Sequence, residues 1–155
     1  MKQFRKIGLL MILPLVSIQL DAHVEQSQPM QSLRQSYYAL VAMSFGPMGN
    51  MVKGKIDWDS ELFSDWAEDL DNVARYNIER AFVEGAERGR TRAKPEIWLN
   101  MKDFESKLND FRAATSKLAE TAKNRDKDAS RAQFIATGGT CKACHDEYKS
   151  RDYLY

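Results

Sequence analysis

Apolar positions in this chain recur every three or four residues rather than every second one, the spacing that gathers them on one face of a helix. From Gln31 onward, Leu33, Tyr37 and Leu40 form one stripe and Arg34, Tyr38, Val41, Phe45 and Met48 the adjacent one; Gly46-Pro47 should kink or end the helix. Val52 to Asp57 reads as a connection. Asp57 or Asp59 then caps a second helix, with Leu62, Trp66, Leu70 and Val73 facing inward, that runs to about Phe82 or Ala86. The charged stretch Gly85 to Lys94 is a loop, and Pro95 suits the first turn of a third helix. That helix has the clearest pattern in the chain, with Ile97, Met101, Phe104, Leu108, Phe111, Thr115, Leu118 and Ala122 in a single seam. A polar turn from Lys123 to Asp128 leads into a last helix holding Phe134, Cys141, His145 and Tyr148 along one side. Four helices of about 20 residues are each about 30 Å long. The pattern therefore predicts an all-α fold, an antiparallel four-helix bundle.

Composition narrows the chemistry more than the fold. A chain of 155 residues with 43 % hydrophobic positions fits one domain, and 8 Gly and 4 Pro are too few for a turn-rich β sandwich. The two cysteines, Cys141 and Cys144, are too close in sequence to staple distant parts of the fold. With His23 and His145 as the complete histidine set, a His-rich zinc site is excluded. Lys2, Arg5 and Lys6 precede the apolar run Ile7 to Leu20, the pattern of a secretory signal peptide. The run is shorter than the roughly 20 residues of a membrane span and contains Pro14. Residues 1–22 are thus expected to be removed, leaving 23–155 as the mature domain with no further membrane contact. Their loss takes away three cations and one anion and turns the formal net charge from +1 to −1. No basic patch with interleaved aromatics is present, so nucleic-acid binding has no support. Export predicts a periplasmic location in a Gram-negative source and an oxidising compartment for the thiols.

Cys141-Lys142-Ala143-Cys144-His145 is the C-x-x-C-H arrangement that attaches haem c covalently. Two thiols three residues apart on one side of a helix can each form a thioether with one porphyrin, and His145, four residues from Cys141, can approach the iron from the same face. A zinc site would need ligands beyond the remaining His23. A thioredoxin-like dithiol sits after a strand at a helix start, whereas Ala129 to Ala136 read as helix. For the sixth iron position no second histidine is placed to serve, which leaves a methionine (Met43, Met48, Met51 or Met101), a weak oxygen ligand or an open site.

With this motif near the end of a helical bundle, the sequence resembles the cytochrome c′ family, the high-spin branch of the class II c-type cytochromes. Arg34-Gln35-Ser36 with Phe45-Gly46 and Met51-Val52-Lys53-Gly54 resembles the family's first helix and its exit, Pro95-Glu96-Ile97-Trp98 the start of the third, and Cys141 to Tyr148 the last. The resemblance implies one covalent haem c per chain, with His145 as axial iron ligand, Arg34 and Gln35 beside the haem edge, and Arg34 near a propionate. From spacing alone Arg34 also reads as part of a solvated face. The family's distal position is Tyr38 here, which implies five-coordinate iron under that side chain. Lys149 stands where the family commonly has an arginine, keeping the charge and losing the planar fork, and Arg92 is a candidate propionate partner. The implied function is binding of nitric oxide, and of carbon monoxide, for sequestration or transport, in a homodimer packed through its first two helices. Electron transfer with a redox partner protein is the alternative. An enzyme is not expected, because a peroxidase needs a distal acid/base pair and the chain has no histidine for it.

Overall fold

A computed structural model describes residues 28–87 and 89–154; the expected signal segment and His23 lie outside these residues. The elements are α1 (Pro29–Val52), α2 (Ser60–Ala74), a short 3₁₀ turn (Ile78–Ala81), the single turn α3 (Glu96–Leu99), α4 (Met101–Lys123) and α5 (Lys127–Tyr148). The fold is all-α, with four long helices in the order the apolar pattern predicts. Helix α4 packs on both α5 and α2, and α2 packs on α1. No described helix is long and apolar enough to cross a membrane.

Local chemistry sets most boundaries. Between the two candidates, Asp59 is the cap of α2, its carboxylate accepting from the backbone N–H groups of Glu61 and Leu62. Asp126 does the same for Asp128 and Ala129 at the start of α5, so the preceding connection is shorter than the predicted Lys123–Asp128 turn. Apolar side chains from α1, α2, α4 and α5 form one core cluster around Met48, Phe63, Leu70, Leu118 and Phe134. A second cluster, around Tyr37, Ile78, Phe82, Ile97, Phe104 and Tyr148, lies toward the end of the bundle that holds the motif.

Four expectations need correction. Gly46-Pro47 does not end α1, which continues to Val52 with Pro47 inside it; Met48 and Met51 beyond the proline are buried in the core, and that burial carries the helix through. The most buried apolar stripe of α2 is Phe63, Ala67, Leu70 and Ala74; of the expected Leu62, Trp66, Leu70 and Val73, Leu70 is buried and Trp66 and Val73 pack partly buried against the core, while a rotation of about one residue leaves Leu62 exposed. Helix α2 stops at Ala74, well short of Phe82, because Arg112 of α4 donates from Nε to the carbonyl of Ala74 (3.1 Å) and from Nη2 to that of Tyr76 (3.3 Å). These bonds satisfy carbonyls at the helix end that would otherwise continue the ladder. The third helix is broken at Asn100 into α3 and α4, although its seam is buried as predicted apart from the partly buried Met101.

Candidate functional site

A cavity of about 610 Å³ opens at the end of the bundle, inside the range of small-molecule and cofactor sites. It is walled by α1, α4, α5, the turn at Phe82, the loop at residues 90–93 and Tyr153. Every site residue expected from the sequence lines it: Arg34, Gln35 and Tyr38 from α1, Arg92 from the loop, Cys141, Cys144 and His145 from α5, and Lys149 just beyond. Most of the remaining wall is apolar, from Val41, Phe45, Phe82, Ile97, Phe104, Leu108 and Phe111.

Helix α5 presents the motif because Phe134 and Thr137, two turns and one turn earlier, are buried and fix its rotation. Thr137 Oγ1 donates to the carbonyls of Gln133 and Ala114, tying α5 to α4. Cys141 and Cys144 are not joined to each other in a disulfide, and each is partly buried. Burial raises both pKa values, that of Cys144 to about 11 with the neighbouring Cys141 adding to it. Both thus stay protonated at neutral pH, the opposite of the stabilised thiolate that a dithiol oxidoreductase uses. Burial lowers the pKa of His145, and the nearby cations Lys149 and Arg92 lower it further. A neutral imidazole, able to donate a lone pair to a metal, is the result.

Arg34 is not on a solvated face; it is 4 % exposed. Its Nη1 donates to the carbonyl of Ala81 at 2.6 Å, and its guanidinium lies 5.2 Å from the ring centre of Phe82. Its Nη2 is buried with no hydrogen-bond partner, a cost a fold tolerates where an acceptor is meant to arrive. The residues fit a haem: an apolar slot, two adjacent thiols and a neutral imidazole on one wall, and an unpaired guanidinium donor for a carboxylate. The Tyr38 phenol is raised by burial and by the nearby Cys144 and Tyr37, so it remains a neutral hydroxyl. Its ring meets Tyr37 edge to face at 5.0 Å.

Three parts of the wall escape a reading of the sequence. Phe104 and Phe111 belong to the seam assigned to core packing, and only the fold turns part of that seam toward the cavity. Arg90 is held in place from both sides: Gln31 Nε2 donates to its carbonyl, and its guanidinium sits 4.5 Å from the ring centre of Tyr153. Behind it, the last residues pair with the loop, Ser150 N–H donating to Arg92 O at 2.7 Å and Leu154 N–H to Thr91 O at 3.0 Å. Partners about 60 positions apart leave no local signal.

The family profile described as Cytochrome C′ matches residues 30–149. The chain is 32 % identical over 119 residues to cytochrome c′ of Rubrivivax gelatinosus, spanning 76 % of this chain and 92 % of that one. It is 36 % identical over 118 residues to cytochrome c′ of Alcaligenes xylosoxydans xylosoxydans, spanning 76 % and 91 %. Among solved structures, cytochrome c prime from Shewanella frigidimarina is similar with a TM-score of 0.76 and 35 % identity over 81 % of this chain and 98 % of that one. A nitric oxide complex of a mutant of cytochrome c prime from Alcaligenes xylosoxidans is similar with a TM-score of 0.72 and 35 % identity, over 79 % and 94 %.

Proposed function

The chain belongs to the cytochrome c′ family and carries covalently attached haem c, and from that premise we propose that it is a periplasmic five-coordinate haem protein that binds nitric oxide, and carbon monoxide, for sequestration or transport. Residues 1–22 are the export signal and 23–155 the haem domain. One observation carries the reading: among the described residues, His145 is the one histidine lining the cavity, and no methionine lines it. Met43 is 72 % exposed on the outside of α1, Met48 and Met51 pack in the first core cluster, and Met101 packs against the second. None of the four sequence candidates is thus placed to fill a sixth position.

The haem supplies an iron centre that binds diatomic gases and exchanges single electrons. Cys141 and Cys144 would hold it by two thioethers, and neutral His145 would supply a nitrogen ligand to its iron. The unpaired Nη2 of Arg34 takes one propionate, with Gln35 beside it; Arg92 and Lys149 add positive charge near the imidazole. Tyr38, Val41 and Phe45 give a mostly apolar distal wall. Such a wall favours a neutral diatomic that needs no strong hydrogen bond, and the Tyr38 hydroxyl is the one donor the family's distal position contributes. Apolar Leu40 and Met43 on α1 and Leu62 on α2 are exposed, which supports a homodimer packed through these two helices.

The test is the spin state of the purified holoprotein. Ferric protein should give a high-spin electron-paramagnetic-resonance signal, and ferrous protein should bind nitric oxide and carbon monoxide without displacing a sixth protein ligand. A low-spin, six-coordinate spectrum in both oxidation states overturns the reading.

A further inference from the structure

The charges of this nearly neutral chain are segregated. Five cations line the cavity, Arg34, Arg90, Arg92, Lys107 and Lys149, and no described lining residue is an aspartate or glutamate. Helix α2 is the reverse: Glu61, Asp65, Glu68, Asp69 and Asp71 with no lysine or arginine, and none of its residues reaches the cavity. The cations are only partly neutralised from within. Arg34 and Arg92 donate to the backbone carbonyls of Ala81 and Ser150, which carry no net charge, Glu87 acts on Arg34 electrostatically from nearby, and Lys107 has a 3.6 Å ion pair with Asp103 just outside the lining. The two propionates of a haem balance two of the five. Arg90 and Lys149 are exposed at the rim, and Arg90 is oriented there by Tyr153, which lies beyond the stretch that matches the family.

We propose that the mouth of the cavity is a docking face for an acidic redox protein. The cations that reach the mouth, Arg90 and Arg92 on the loop, Lys107 on α4 and Lys149 at the end of α5, come from three segments, an arrangement that fits a broad surface better than one small anion. The acidic α2 away from the mouth gives the molecule a dipole that turns an incoming acidic partner toward the cations, which raises the encounter rate at low salt. The event at this face is transfer of one electron: the reduced partner is oxidised by one electron, ferric haem is reduced by one, and no atom is exchanged. The inference rests on the covalent haem and not on gas binding, so a protein that fails to bind nitric oxide leaves it standing.

Reduced flavodoxin, an acidic one-electron protein donor, serves as the probe, with the mature ferric holoprotein in stopped flow. Raising salt from about 10 mM to about 0.5 M shortens the Debye length from roughly 30 Å to a few ångströms. The second-order rate should fall by about tenfold or more over this range. The cationic oxidant tris(phenanthroline)cobalt(III), reacting with ferrous protein, should show no such fall. Arg90→Glu and Lys107→Glu should each lower the low-salt flavodoxin rate more than about threefold with an unchanged reduction potential, the behaviour of rim charges that steer association. Lys123→Glu makes the same charge change at the far end of α4, about 18 Å along the helix from Phe111, and should leave the rate within a factor of about 1.5. A salt-independent rate, an equal effect of Lys123→Glu, or rate losses that follow altered potentials would overturn the proposal. So would low-salt self-association abolished by Arg90→Glu in sedimentation, which would assign the face to the acidic α2 of a second copy.

Discussion

Replacing Arg112 with alanine should cost this protein about 2–3 kcal/mol, more than an ion pair near the surface ordinarily contributes. Arg112 donates to both carboxylate oxygens of Glu79, at 2.6 and 2.7 Å, with the two side chains only 24 % and 20 % exposed. Exposed pairs are worth about 1 kcal/mol or less, while stripping the partner from a fully buried charge costs roughly 3–5 kcal/mol. This pair lies between, at about 2 kcal/mol. The freed carbonyls of Ala74 and Tyr76 lose a charged donor and gain water, adding roughly a further 0.5–1 kcal/mol. For a domain of this size that is a fall of about 10 °C in Tm, measurable by urea and thermal unfolding of the holoprotein followed by circular dichroism. Glu79→Gln should cost less, about 1 kcal/mol, because an amide still accepts one bond. The pH dependence separates the two causes. Hydrogen bonds from Arg112 hold the Glu79 carboxyl below its ordinary value, so its stabilising effect is complete above the unfolded pKa of about 4.3 and disappears as pH falls through the lowered folded value. The gap between wild type and Glu79→Gln should therefore be full at pH 7 and close under acid. A loss below about 0.5 kcal/mol for Arg112→Ala, or a gap that does not change with pH, would refute the assignment of Arg112 as the clamp that ends α2.

Other outcomes follow from single contacts. Asp59→Ala should destabilise the holoprotein by about 1 kcal/mol in urea unfolding, since the N–H groups of Glu61 and Leu62 lose their acceptor. Burial and the 2.6 Å bond to Asp103 push the Tyr148 phenol up to about 12. Its contribution is therefore whole below the unfolded value of about 10 and is lost as pH rises toward 12; Tyr148→Phe should flatten that alkaline limb and cost roughly 1.5–3 kcal/mol near pH 7. Tyr38→Phe should change nitric oxide affinity by no more than about fivefold, the worth of one neutral hydrogen bond, and raise the carbon monoxide stretching frequency in the infrared if the hydroxyl donates to the bound gas.

What was legible in the chain is what a few neighbouring residues encode. The C-x-x-C-H motif, the Asp59 cap and the α4 seam each rest on contacts within one or two turns of helix, and they stand in the structure where the spacing puts them. The end of α2 was not legible because the residue that stops it, Arg112, lies 38 positions from Ala74. Arg34 illustrates the same limit: its spacing fits a solvated face, and only the turn at Ala81 and Phe82 buries it. The one-residue rotation of α2 has a similar origin, since Phe63 is drawn inward by stacking on Trp58 at 4.6 Å and meeting Phe134 at 6.3 Å, partners on other segments.

The walls of the cavity arrive in a fixed order along the chain. Residues 31–46 and 82–111 precede Cys141 in the chain, and Tyr153, which closes on Arg90, follows it. A chain that is exported unfolded emerges on the far side of the membrane from its N-terminus, so three helices can associate while the two thiols are still to come. The two thiols and the residues that close the 90–93 loop thus belong to the same late stretch of chain. A chain ending at Ser150 would keep the complete attachment motif and the Ser150–Arg92 bond but lose Tyr153 from Arg90 and the Leu154 N–H from the carbonyl of Thr91.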